Sequence, residues 1–219
     1  MKLSNETVDV LKNFSTINQN ILVKEGTKLR TMSTMKNILG EAVISEAFPK
    51  EFGVYDLNEF LGVLSLTNDP ELEFNHDSFL TVSGGYSKVK YFFSDPSILV
   101  TIPEGFNPPE TDCTFKINQT TLTDVTKACA ILQLPDVVIR NEDNVGVLVA
   151  TDLKNTTSHE YKVELDPIDF PADFHFKIDN LKMIAGDYDL SVASDKNVSH
   201  WTHQTKQIEY WIALEATSG

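Results

Sequence analysis

Tyr55-Asp56-Leu57-Asn58-Glu59-Phe60-Leu61-Gly62-Val63-Leu64-Ser65-Leu66 is the stretch on which the fold turns. Leu57, Phe60, Leu61 and Leu64 recur at i, i+3, i+4 and i+7, the spacing of one buried stripe on a helix. Asp56 stands directly before the stripe, where a carboxylate accepts the first free backbone N–H groups. The same arrangement of capping side chain and apolar stripe is read three more times. Ser4 precedes Val8, Leu11 and Phe14; Asn118 precedes Leu122, Val125, Cys129 and Leu132. Asp179 precedes Leu181 and Ile184, with Gly186 placed to end a short fourth helix. The four caps lie 52, 62 and 61 residues apart.

Between the helices the apolar period falls to two, the mark of strands with one buried face. The segments are 21–24, 28–32, 38–45, 53–55, 71–74, 79–83 and 88–93, then 114–117, 137–140, 145–151, 160–165, 173–178, 187–193, 198–203 and 208–214. One helix followed by three or four antiparallel strands therefore occurs four times. Residues 94–111 break the pattern with Pro96, Pro103, Pro108 and Pro109, and read as an extended surface linker. An α+β chain follows, of two duplicated domains: 1–93, a linker at 94–111, and 112–219.

Composition narrows the function. The chain has 219 residues, 41% hydrophobic and 23% charged, with net charge -14. Such a balance supports a packed core, and acidity spread evenly over the surface would repel phosphates. Cys113 and Cys129 form no CxxC pair, so neither a zinc site nor a disulfide framework is indicated. No nucleotide-binding loop, nucleophile elbow or HExxH occurs. His200 and His203 fall three apart on a strand, which turns their rings to opposite faces, and exposed strand histidines are expected there. No catalytic residue, metal site or cofactor is assigned, and no membrane span is expected.

The Tyr55–Leu66 stretch closely resembles the second-helix motif of the sliding clamps of T-even-type bacteriophages. Tyr210-Trp211-Ile212-Ala213-Leu214-Glu215-Ala216 is similar to their closing strand. Met1-Lys2-Leu3-Ser4, Leu11-Lys12-Asn13-Phe14, Asp95-Pro96-Ser97 and Gly186-Asp187-Tyr188 add to the likeness, which runs end to end and weakens in the linker and the later strands. The resemblance implies two processivity-fold domains per subunit, three subunits per ring, helices lining the hole inside antiparallel sheets, and no catalysis. It implies encircled duplex DNA, a replicative DNA polymerase, an ATP-dependent loader, late-transcription factors, and the cytoplasm of an infected bacterial host. The alternatives are a phage structural or interaction protein of duplicated α+β domains and, behind it, a small hydrolase with an unrecognised site.

Under that resemblance the acidity becomes segregation, with a minority of lysines facing the hole. Lys2, Lys12, Lys127 and Lys182 lie on or beside helices, followed by Lys116 and Lys177. Ile98, Val100, Ile102, Pro103 and Phe106 are too apolar for a solvated linker and, with Leu214, are the candidate pocket for partner peptides. The subunit interface is assigned to two edge strands, Lys88, Lys90, Tyr91 and Phe92 against Glu160, Tyr161, Lys162 and Glu164.

Overall fold

A computed structural model describes residues 1–103 and 107–216. The chain divides into two units, Met1–Phe106 and Asn107–Gly219. Unit one contains α1 (Asn5–Ile17), β1 (Ile21–Val23), β2 (Gly26–Met32), β3 (Ile38–Phe48), β4 (Phe52–Val54), α2 (Leu57–Ser65), β5 (Glu71–Glu73), β6 (Phe79–Gly84) and β7 (Ser87–Phe92). Within it β1 pairs with β4, β2 with β3, and β5, β6 and β7 form a meander, all antiparallel. Unit two contains β8 (Cys113–Ile117), α3 (Gln119–Leu132), β9 (Asp136–Glu142), β10 (Val145–Thr151), β11 (Tyr161–Pro167), β12 (Asp173–Lys177), β13 (Tyr188–Ala193), β14 (Val198–His203) and β15 (Ile208–Ala213). Its strands run β11-β10-β9-β12 and β8-β13-β14-β15. Every segment expected as a strand is one, with ends moved by at most three residues.

Three helices start where their caps stand. The Ser4 hydroxyl accepts the Thr7 N–H at 3.2 Å. The Glu46 carboxylate of β3 takes the Ser4 N–H and, at 2.5 Å, the Thr7 hydroxyl. Burial opposes ionisation of Glu46, but these bonds outweigh it and hold its carboxyl down to about 2. Asp56 accepts the N–H groups of Asn58 and Glu59 at 2.9 and 3.1 Å and the Gln19 side-chain amide at 2.7 Å. Leu57 N–H donates to Gln19 O, so the end of α1 and the start of α2 are tied together. Asn118 Oδ1 accepts the Thr121 N–H at 2.8 Å. The α3 helix ends on Gln133 in the left-handed region, φ 55°.

The buried stripes are shifted slightly from expectation. On α1 they are Thr7, Val10, Leu11, Phe14 and Ile17, with Val8 at the margin. On α2, Leu57, Phe60 and Leu64 are buried and Leu61 is half-buried. On α3, Thr121, Val125, Ala128 and Cys129 are buried, whereas Leu132 is 37% exposed in the last turn. The core of unit one includes Phe48 and Phe52, against which half-buried Phe74 and Phe93 pack, with touching rings 5.2–6.2 Å apart between centroids. Unit two buries Trp201, Tyr188, Tyr210 and Phe176 completely. Each such ring contributes about 1.5–3 kcal/mol relative to exposure.

The fourth helix is not there. Ile178–Asn180 makes a single 3-10 turn, and residues 181–187 are irregular. Asp179 lies inside the turn rather than capping it. The segment is too short to repay helix nucleation, and buried side chains take its backbone instead. Tyr188 Oη donates to Ile184 O at 2.6 Å, and Ile184 N–H donates to Tyr210 Oη at 3.2 Å. Gly186 does not end a helix; a Cβ there would lie 2.0 Å from His203 Nε2, so glycine is required for close approach. The repeat therefore holds in its strands, and its helix is missing from the fourth quarter.

Candidate partner-docking cleft and nucleic-acid interface

A cleft of about 520 Å³ opens in unit one, and a chain of polar side chains builds it. Asn18 ends α1 and anchors the turn, its amide donating to Met32 O and its Oδ1 accepting the Asn20 N–H. Asn20 Oδ1 in turn accepts the Val100 N–H at 3.0 Å. The segment from Ser94 is seated by Gly53 of β4. Ser94 N–H donates to Gly53 O at 3.0 Å. A 3-10 turn over Pro96–Ile98, capped by Asp95, then delivers Leu99 into the core at 8% exposure. The segment is thus pinned to unit one at Ser94, Leu99 and Val100, while residues 95–98, 101 and 103 stay exposed.

Val100, Ile102 and Pro103 line the cleft, joined by Thr101 and by Leu22 of β1. Ile98 lies apart, in the 3-10 turn and 59% exposed. Phe106 falls outside the described residues. Leu214 belongs to unit two, where its N–H donates to Asn197 O just past β15. Sequence reading missed the other wall, formed by Lys24, Glu25, Lys28 and Arg30. The signal was present: period two puts Lys28 and Arg30 on one face of a strand in an acidic chain. Both pair with Glu41 of β3, directly opposite Arg30 in register, with Arg30 Nε at 2.9 Å from its carboxylate.

The expected edge strands are edges. Among the described residues β7 pairs only with β6, and β11 only with β10. The opposite margins carry further chain: Leu72 N–H of β5 donates to Met1 O, the Met1 amine donates to Leu72 O, and the Glu215 N–H donates to His175 O of β12. On β7, Lys88, Lys90 and Phe92 are exposed on one face, and Lys90 Nζ sits 5.2 Å from the centre of the Phe79 ring. Tyr91 turns inward against Phe60, and burial pushes its phenol up to about 12. On β11, Tyr161 is half-buried while Lys162 and Glu164 are exposed. Glu160 precedes the strand and is held within unit two, near Arg140 at 3.4 Å and Lys162 at 3.7 Å.

The candidate DNA lysines are scattered by element. Lys12 is exposed on α1 beside Asp9, at 3.1 Å, and Lys127 is exposed on α3. Lys2 pairs with Asp69, and its backbone forms an isolated antiparallel β-bridge with Glu71. Lys116 is exposed on β8, and Lys182 is exposed in the irregular segment that replaces the expected helix. Lys177 pairs with Asp136, which is 1% exposed, so it neutralises a buried carboxylate.

The histidine expectation is half right. His200 and His203 point to opposite faces of β14, yet neither is exposed. His200 stacks on Trp211 at 4.6 Å and contacts Glu209 at 2.7 Å. His203 is buried, its Nδ1 accepting the Thr205 and Lys206 N–H groups. The thiol of Cys113 is pushed up to about 12, first by burial and then by Asp112, opposite to what a nucleophile needs. Among the described residues no group of three or more His, Cys, Asp or Glu is placed to hold a metal. No described helix is long and apolar enough to cross a membrane.

Antiparallel sheets with capped helices in the first three quarters of the chain are accompanied by matches to two family models, one in each unit. A family model for DNA polymerase processivity factors matches residues 4–101, and one for the C-terminal domain of gp45 sliding clamps matches residues 114–216. The chain belongs to the sliding-clamp family. The sliding clamp of Vibrio phage KVP40 is 33% identical over 99% of this chain and 100% of its own length. That of Enterobacteria phage T4 is 29% identical over 100% and 98%. At the level of fold, A. fulgidus PCNA in complex with the C-terminal region of FEN-1 superposes with TM-score 0.74 at 14% identity, covering 100% of this chain and 98% of that one. The Helicobacter pylori beta clamp bound to a DNA ligase peptide gives TM-score 0.73 at 12% identity, covering 99% and 65%. The clamp is therefore a phage DNA polymerase processivity factor, of a family that works without catalysis.

Proposed function

We propose that three copies of the clamp close head to tail into a ring around duplex DNA. The ring tethers the replicative DNA polymerase after an ATP-dependent loader has opened it, in the cytoplasm of an infected bacterium. The observation that carries this reading is the pair of open edges, β7 in one unit and β11 in the other, each lying opposite a margin that further chain already occupies. An unpaired edge is a template for another strand, and joining two different edges repeats from copy to copy until it closes. Exposed Lys88 and Lys90 would oppose Glu164; Glu160 is the weaker candidate because Arg140 and Lys162 already engage it. Such cross-strand charges contribute roughly 0.2–1 kcal/mol each and so select register.

A sliding ring must not read bases, since base contacts would create traps along the track. Exposed lysines on α1 and α3 suit loose phosphate attraction, and Lys182 in its irregular segment would act with them. The cleft beside residues 100–103 is the proposed seat for partner tails, a reading supported by the peptide complexes of the A. fulgidus and H. pylori clamps. Late-transcription factors would use the same seat.

Light scattering tests the ring. The expected mass is near three times 24.5 kDa. Changing Lys88 and Lys90 to glutamate should shift the clamp toward monomer, and adding Glu164→Lys should partly restore the trimer. A wild-type clamp that stays monomeric at every concentration overturns the reading.

A further inference from the structure

We infer that β7 accepts β11 of the next copy in a single register, with Lys90 facing Glu164 and Phe92 facing Lys162; the inference rests on the ring reading above. The backbone limits which residues can bond across the junction. Phe93 N–H donates to Ser78 O, so residues 93, 91 and 89 turn their N–H and C=O groups to β6. Residues 92, 90 and 88 therefore turn theirs to the free edge. In unit two Asn141 N–H donates to Ala172 O, so residues 141 and 139 of β9 bond β12, and Arg140 and Val138 bond β10. Their partners Val147 and Val149 are thereby used, and Leu148 and Ala150 are left to bond Val163 and Tyr161 of β11. Lys162 and Glu164 accordingly hold their backbone groups at the free edge. Every register shifted by one residue is excluded, because it would set bonded groups against free ones and charged faces against apolar ones.

The side chains choose among the registers that remain. With Lys90 opposite Glu164, exposed Phe92 meets Lys162, and an ammonium over an aromatic ring is attracted to its negative face. On the inner face buried Tyr91 meets Val163, and half-buried Phe93 meets half-buried Tyr161. A slip of two residues one way sets Lys90 against Lys162, and like charges directly opposite destabilise a ladder. It also sets Phe92 against Glu160, which Arg140 and Lys162 already hold. The opposite slip lays the Glu164 carboxylate on the Phe92 ring, where the negative face repels it. Past Glu164, β11 carries one extra residue before Pro167, which has no N–H to give, so the ladder ends there. Lys88 falls level with that bulge, beside exposed Asp166.

Cysteine cross-linking on the full-length clamp reads the register. Three double variants share Lys90→Cys and differ in the second site: Glu164→Cys, Lys162→Cys or Asp166→Cys. Facing residues of a hydrogen-bonded pair lie about 5.5 Å apart between Cα atoms, inside the span of about 4.4–6.8 Å that a disulfide bridges. Diagonal neighbours, at about 7–8 Å, lie outside it. With oxidised glutathione as oxidant, the Glu164→Cys pair should give a covalent trimer on a non-reducing gel, and neither diagonal pair should. The single variants and the parent chain, whose Cys113 is half-buried and Cys129 buried, are the blanks. A readout without cysteines is charge reversal: Lys90→Glu should weaken the ring, Glu164→Lys should restore it, and Asp166→Lys should not. A covalent trimer from the Lys162→Cys or Asp166→Cys pair in place of the Glu164→Cys pair overturns the register and leaves the edge pairing standing. No cross-link from any pair, in clamps that light scattering shows to be trimeric, overturns the edge pairing as well.

Discussion

The seat of residues 94–99 should depend on one missing methyl group. A Cβ added at Gly53 would lie 2.5 Å from Ser94 O and 2.7 Å from Leu99 Cδ1. Ser94 O belongs to the backbone and Leu99 is 8% exposed, so neither neighbour yields easily. Overpacking of this kind costs about 1–3 kcal/mol, and loss of the Ser94 N–H bond to Gly53 O adds about 0.5–1.5 kcal/mol. Gly53→Ala should therefore destabilise the clamp by about 1.5–4.5 kcal/mol. Urea unfolding at a fixed protein concentration measures it, since assembly itself adds stability. Gly62→Ala is the control: the site is open space on the exposed side of α2, and alanine is favoured over glycine in a helix by about 0.5–1 kcal/mol. The displaced segment runs directly into Val100 and Ile102, so Gly53→Ala should also weaken binding of an apolar-anchored peptide and speed proteolysis near residue 100. If Gly53→Ala unfolds within about 0.5 kcal/mol of wild type and keeps wild-type peptide affinity, the seating of this segment does not shape the cleft.

The lysines of the proposed inner face should act collectively: Lys12, Lys127 and Lys182 changed together to alanine should lower loading on primed DNA and flatten its salt dependence, because phosphate attraction is the salt-sensitive component; unchanged loading with an intact trimer would refute their role. Glu46 gives a pH signature. Its folded value of about 2 lies below the ordinary 4.5, so its contribution is fully present above 4.5 and is lost as pH falls through about 2. Acid unfolding of Glu46→Gln should accordingly be shallower in that window, and parallel curves would show that the α1 start gains nothing from the charge. Tyr188→Phe should free Ile184 O and cost about 1–3 kcal/mol, with faster hydrogen exchange over residues 181–187; unchanged exchange there would mean that the hydroxyl does not hold the segment.

Much of the architecture was legible because its causes are local. Ser4, Asp56 and Asn118 act on backbone N–H groups two or three residues away, and strand alternation records which face is buried. Both features survive in a linear string. Asp179 shows where local reading fails. Its cap and stripe were as plausible as the others, but the competing partners of Ile184 are Tyr188 and Tyr210, on strands whose arrangement no local pattern reveals. The histidines of β14 failed in the same way: period two assigned their faces correctly, while burial came from Trp211, Tyr188 and the 185–186 backbone.

The sequence by itself determined the class of fold, the helix starts that have caps, the edge strands and the membership of a clamp family. It also marked Val100, Ile102 and Pro103, because apolar residues in a proline-rich connection need a reason to be there. Only the tertiary structure decided that Lys24, Lys28 and Arg30 face those residues, that Glu41 offsets part of their charge, and that Lys177 and Glu160 are already engaged within the fold. The physical reason is reach. Capping and alternation depend on neighbours within a few residues, whereas the charge of a cleft depends on which side chains the packed backbone brings within about a Debye length of one another, roughly 10 Å at 0.1 M salt.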